Sequence, residues 1–317
     1  DGKASAPIVV RVFVLPGAEH VVLAADGVDS GTCGAVDAPC RTLSRASESA
    51  SAEGKDVIAT NEAYSETTAA SGVPWPANVA LSGGRDPITF ARTSTPTTFS
   101  CTGTANADTT CILFTAGDSA TVTIDNLDVV ADAGASSSTI AVRCDRCAKE
   151  FRDVTASAST APLSIALLVD AGPGLPNAEP TFVNLTAAVE GACDAEAIVI
   201  DDASVLTAST VSASVGAPAI GCATTTALAL SVHGGVADVT SAALTHAGVR
   251  VDLGGTARLT DSKLVVDAGD GVDVVEGSAV LTGSVVASTT IDPGGAGLRL
   301  GAQPSAATAS FDTTAIT

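Results

Sequence analysis

From about residue 120 onward, apolar residues alternate with polar ones or run in short blocks, and no helical spacing persists. One phrase recurs: a short apolar strand ending in Leu or Val, then Thr, then small residues with Ser. It reads FRDVTAS, FVNLTAA, SVLTAS, ADVTSA, ARLTDS and AVLTGS, with threonines at Thr155, Thr186, Thr207, Thr240, Thr260 and Thr282. A degenerate copy, IDNLDVV, puts Asp128 at the same place, and TASFDTTAIT at the C-terminus reads as a last copy. Between the phrases lies a second strand that usually ends at Gly or Asp, as in SIALLVDAG, EAIVIDD, LALSVHGG and GVRVDLGG. Each unit therefore holds at least two strands separated by turns.

Self-similar units that recur every few tens of positions mark a solenoid. Leucine-rich repeats lack their Leu and Asn consensus here, and left-handed hexapeptide helices lack their six-residue rhythm. The expected fold is all-β, a right-handed parallel β-helix whose coils stack at roughly 4.8 Å. About eight coils make a rod on the order of 40 Å long at that spacing. The six threonines are expected to line up as a hydroxyl ladder along one sheet.

The N-terminal part reads differently. Asp26, Gly27 and Asp29 form an Asp-Gly-x-Asp turn, followed by Pro39, Arg41, Thr42 and Leu43, then Tyr64 with Glu66, then Gly83 with Gly84. These pieces resemble the opening of secreted pectin-lyase-like β-helix proteins, with Cys40 in the variable position before Arg41. The likeness is confined to this opening segment, and the rest of the chain shares only the periodicity. The resemblance implies a fold and not a reaction. In that family a capping helix follows the Thr-Leu segment. Here Ser44 to Glu53 is rich in Ala, Ser and Glu, which suits a short amphipathic helix over the first coil's open edge. The chain divides into an extension strand over 1–20, a cap with the first coils over 21–119, and regular coils over 120–317. Within the extension, Ala6 to Gly17 is apolar on both faces apart from Arg11 and needs a partner sheet. No capping helix is evident in the closing FDTTAIT. Two explanations compete: further residues after Thr317, or head-to-tail self-association in which one molecule's first strand completes its neighbour's open coil.

Composition sharpens this picture. Hydrophobic residues make up 46% but aromatics only 3%, so the core consists mostly of Ala and Val, which suits tightly stacked strands. A formal charge of −20 argues against nucleic acid as a partner. No run of about 18 apolar residues occurs, so no helical membrane span is expected. The chain has no Met, even at position 1, so a cleaved signal peptide and an extracellular or cell-surface location are expected. Eight cysteines then read as four disulfides. Sequence proximity favours Cys33–Cys40, Cys101–Cys111, Cys144–Cys147 and Cys193–Cys222, with the C-x-x-C bridge the tightest of the four.

No catalytic signature stands out. Polysaccharide lyases of the resembled family pair acidic calcium ligands with a basic residue that abstracts a proton, yet residues 153–249 hold no Lys or Arg. The basic cluster Arg143, Arg146, Lys149 and Arg152 is mixed with Asp145, Glu150 and Asp153, and reads as an anion or sugar site or as a charged, disulfide-pinned turn. Asp201, Asp202 and Asp238 are candidate carboxylates for a glycosidase, which needs a pair within ~5–9 Å. The scarcity of aromatics weighs against that reading. His20, His233 and His246 show no zinc spacing. Asp267, Asp270 and Asp273 recur every third residue beside glycine turns and form a candidate calcium site against the plainer reading of a solvated acidic turn. Asn184-Leu-Thr186 matches a glycosylation sequon. The expected function is an extracellular structural or adhesive rod, with a carbohydrate-active enzyme or a module binding surface polysaccharide as the alternative.

Overall fold

The computed structural model describes residues 19–68, 72–103, 108–115, 122–134, 137–172, 178–218, 222, 226–267, 270–288, 297–300, 307–312 and 315–316. The proposed donor strand, Ala6 to Gly17, lies outside these residues. Among the described residues the strands form two sheets, of 16 and 9 strands, and every strand pairing within them is parallel. The chain passes from one sheet to the other and back, so each strand pairs with its counterpart one coil away. This is the expected parallel β-helix. The longest path through the first sheet runs from His20–Leu23 to Thr308–Asp312 in ten steps, roughly 50 Å at 4.8 Å per step.

A bend within the first sheet sets the shape of each coil. Seven residues with left-handed backbone stand directly above one another: Asn126, Asp153, Asn184, Thr210, Ser241, Asp261 and Gly283, with φ between 50° and 60°. Asn, Asp and Gly tolerate this conformation best, because a short polar side chain or none relieves the Cβ clash. The column is also bonded side to side. Asn184 Nδ2 donates to Asp153 Oδ1 at 2.8 Å, and Asn126 Nδ2 donates to the Thr93 carbonyl at 3.1 Å. Arg92 clamps its start, reaching Asp153 at 3.0 Å and Asp125, the residue before Asn126, at 2.6 Å. Gly83 and Gly84 are required beneath it. A Cβ on Gly83 would stand 2.4 Å from the Asn126 carbonyl oxygen, and one on Gly84 would overlap the Asn126 amide.

The expected six-threonine ladder does not form as one line. Thr155 pairs with Asp128 and Thr186, and the column continues to Ser212. Thr240, Thr260 and Thr282 form a second column above Ser209. Thr207 belongs to a third, between Thr181 and Asp238. The bend explains the split. Thr155 and Thr186 follow the left-handed residue by two positions, Thr240, Thr260 and Thr282 precede it by one, and Thr207 precedes it by three. Similar words therefore sit in three registers. The bend also measures the coils. Its steps from Ser241 to Asp261 and from Asp261 to Gly283 are shorter than any step before Ser241, so the coils contract there.

Inside, the register stacks like upon like. Phe151 lies flat on Phe182 at 4.4 Å between ring centres, and Phe114 meets Phe151 edge-on at 5.0 Å. Beyond them the same column shrinks to Ala208, Val239 and Leu259, all buried. The N-terminal helix spans Leu43–Glu53, one residue longer than expected, and buries Leu43, Ala46 and Ala50. Its N-terminus is held by the motif residues. Thr42 Oγ1 accepts from Arg45 N, Glu66 accepts from Leu43 N and from Ser44, and Asp29 Oδ1 accepts from Arg41 N and Thr42 N. Gly54 ends it in a left-handed cap. The eight cysteines form four disulfides, in the pairs that proximity favours.

Thr210 is the β-branched member of the bend column, where left-handed backbone costs it roughly 1–2 kcal/mol. Thr210→Asn is expected to raise stability by about 1 kcal/mol, read as a higher urea midpoint at unchanged slope. A lower midpoint would show that the column tolerates Thr as well as Asn.

Candidate functional site

Where the coils contract, the outer surface steps inward and leaves a groove of about 730 Å³. Ala195, Val215, Pro218, Leu228 and Val249 line it together with His246, Arg250, Asp267, Asp270 and Asp273. The contraction places them. The strand Thr226–His233 has eight residues but its neighbour Gly248–Asp252 has five, and the register shifts between Leu228 and Leu230.

The three acids proposed for calcium are all at this groove, but they are engaged by bases. Asp267 accepts from His246 Nδ1, Asp270 pairs with Arg299 at 3.1 Å, and Asp273 is flanked in the sheet by Arg250 and Arg299. Among the described residues no group of three or more His, Cys, Asp or Glu stands close enough to hold a metal. The donor set fits ion pairs better than a calcium shell, which needs six or more oxygens converging on one point.

A second constellation lies beside the groove on the outer face of the same sheet. Ser231 Oγ and His233 Nε2 are 2.7 Å apart, and His233 Nδ1 bonds Asp252 Oδ1. Arg250 Nε donates to Asp252 Oδ2 at 3.1 Å and also lines the groove. Glu196 lies in the same field. Burial pushes its carboxyl above the usual carboxylate range, and His233 and Arg250 only partly offset this. No sequence spacing reveals the set, because Ser231 and His233 meet Asp252 only through the pairing of neighbouring coils. The signal that could find it is a Ser-x-His on one strand with an Asp at its register partner.

The other candidates are dispersed. Arg143 pairs with Asp170 at 2.8 Å, Arg146 with Asp145 at 2.9 Å and Arg152 with Glu150 at 2.7 Å. Lys149 is buried and donates to the Pro76 and Ala77 carbonyls. The cluster is thus a charged turn pinned by Cys144–Cys147. Asp238 lies in the first sheet, bound to Arg258 at 3.0 Å, whereas Asp201 ends a strand of the second and accepts from the Asp202 amide. Asp202 feels the negative charge of its neighbours Asp201 and Asp170, and Asp238 stands on the other sheet. His20 sits on the first strand beside Asp56, remote in sequence and coil from the groove.

No protein-family model and no curated protein matches the chain. Similar solved structures include the crystal structure of pectate lyase Pel9A, at 10% identity and a TM-score of 0.49, covering 92% of this chain and 82% of that one. Tailspike protein 3 of bacteriophage CBA120 is similar at 11% identity and a TM-score of 0.29, covering 92% of this chain and 60% of that one.

Burial without a carboxylate lowers the Lys149 ammonium to about 8, against 10.5 for an ordinary lysine. Between those values the unfolded chain holds a proton that the folded chain has released, so stability rises with pH. The urea midpoint is expected to climb from pH 8 to pH 10, and Lys149→Met is expected to flatten the climb. Calcium is checked by a melt. A site held at 100 times its Kd adds about 2.7 kcal/mol, and millimolar calcium is expected to leave the melting temperature unchanged.

Proposed function

We propose that the protein is an extracellular, disulfide-stapled rod with a structural or adhesive role, whose groove takes a neutral glycan. The observation that carries this reading is that ten of the thirteen cations among the described residues are committed, with Arg41, Arg85 and Lys263 outside these pairs. Arg45, Lys55, Arg92, Arg143, Arg146, Arg152, Arg250, Arg258 and Arg299 each pair with a carboxylate, and Lys149 is engaged by backbone carbonyls. A lyase acting on an acidic polymer needs a free base and cations to hold the substrate, and a chain of charge −20 repels such a polymer. A neutral sugar instead asks for carboxylates and bases that already hold each other in place, as His246, Asp267 and Asp270 do. Four disulfides support an oxidising compartment. No helix among the described residues is long and apolar enough to cross a membrane. Head-to-tail stacking belongs to the same reading, since Leu300 and Phe311 on the last described coil are exposed side chains that it would bury.

Incubation with a panel of acidic and neutral polysaccharides is expected to give no unsaturated uronate at 235 nm. Retention on neutral glycans is expected to fall in Asp270→Ala. Growth of 235 nm absorbance that survives repurification would overturn the reading in favour of a lyase.

A further inference from the structure

We propose that Ser231, His233 and Asp252 form a nucleophilic serine centre that cleaves small acyl esters entering through the groove. The geometry is that of a serine relay. With Nδ1–H donating to Asp252, the His233 tautomer is set, and Nε2 is left as acceptor for the Ser231 hydroxyl at 2.7 Å. Asp252 is itself fixed by Arg250 at 3.1 Å and its side chain is 14% exposed, so it orients the imidazole from a sheltered position.

The two bonds differ in what they connect, although the second also satisfies a buried hydroxyl. The His233–Asp252 bond ties neighbouring coils, because the two residues are register partners. The Ser231–His233 bond ties nothing, since both residues lie on the strand Thr226–His233. It is the bond that a nucleophile and its base require.

The chemistry balances without a co-reactant. Ser231 Oγ adds to the ester carbonyl carbon as its proton passes to His233 Nε2. The carbon–oxygen bond to the alcohol then breaks, and the alcohol leaves with that proton. Water enters by the reverse route, regenerates the serine and releases the acid. Asp252 holds the imidazolium between the two transfers. The acyl group must be small. Ser231 has no solvent-accessible surface in this conformation, and its neighbours across the sheet are Val199 and Arg250. Arg250 joins the two places, because it lines the groove, its side chain is 41% exposed, and it stands beside Ser231 in the sheet. Displacement of this one side chain is the route by which an ester in the groove reaches the hydroxyl.

The test is labelling of the intact protein with a small fluorophosphonate, mapped by peptide mass spectrometry, together with release of nitrophenolate from 4-nitrophenyl acetate. The label is expected on Ser231. It should be absent in Ser231→Ala and reduced by roughly 100-fold or more in His233→Gln. Circular dichroism melts on every variant separate lost chemistry from lost fold. A cooperatively melting wild-type protein that stays unlabelled at Ser231 would overturn the proposal, as would equal labelling of wild-type and His233→Gln proteins.

Discussion

A bend that must recur at the same place in every coil governs this molecule. Backbone hydrogen bonding between parallel strands tolerates little slippage, so one left-handed residue obliges the residue above it to turn likewise. The column from Asn126 to Gly283 is the outcome. It selects Asn, Asp, Ser and Gly at positions where propensity alone would accept almost any strand former. It also dictates glycine at positions 83 and 84, and places Arg92 where it can gather Asp125 and Asp153.

The same register explains the composition. Side chains on successive coils face each other at strand spacing, so the interior favours residues that stack on copies of themselves. Ala and Val do so without rotamer conflict, and the two rings that do stack, Phe151 and Phe182, lie nearly parallel. Stability therefore spreads over many small contacts. Charges outside obey the same geometry. Some cations find their carboxylate one coil away, as Arg258 finds Asp238 and Arg143 finds Asp170, while others pair within their own coil, as Arg152 does with Glu150.

What is legible in the chain depends on whether the signal is local or transverse. Short strands, glycine-ended turns, the short N-terminal helix and the nearest-neighbour cysteine pairs are local, and all appear in the structure. The threonine ladder is transverse. It splits because coil length varies along the rod while the phrase looks alike on either side of the bend. Asp267, Asp270 and Asp273 do share one groove, but their basic partners, His246 and Arg299, lie on neighbouring coils and carry no spacing cue. Ser231, His233 and Asp252 are hidden for the same reason. His233 and Asp252 match no motif in the sequence and become adjacent only through the contracted coil.

Asp29, Thr42, Tyr64 and Glu66 all belong to the earliest coils, where Tyr64 reaches the Leu23 carbonyl and Glu66 seals the helix start. A polypeptide threaded amino-end first through a narrow export channel would deliver this seed before anything that must be templated on it. Each later turn would then wind onto a finished surface, and vectorial emergence, rather than search among alternative alignments, would choose the pairing.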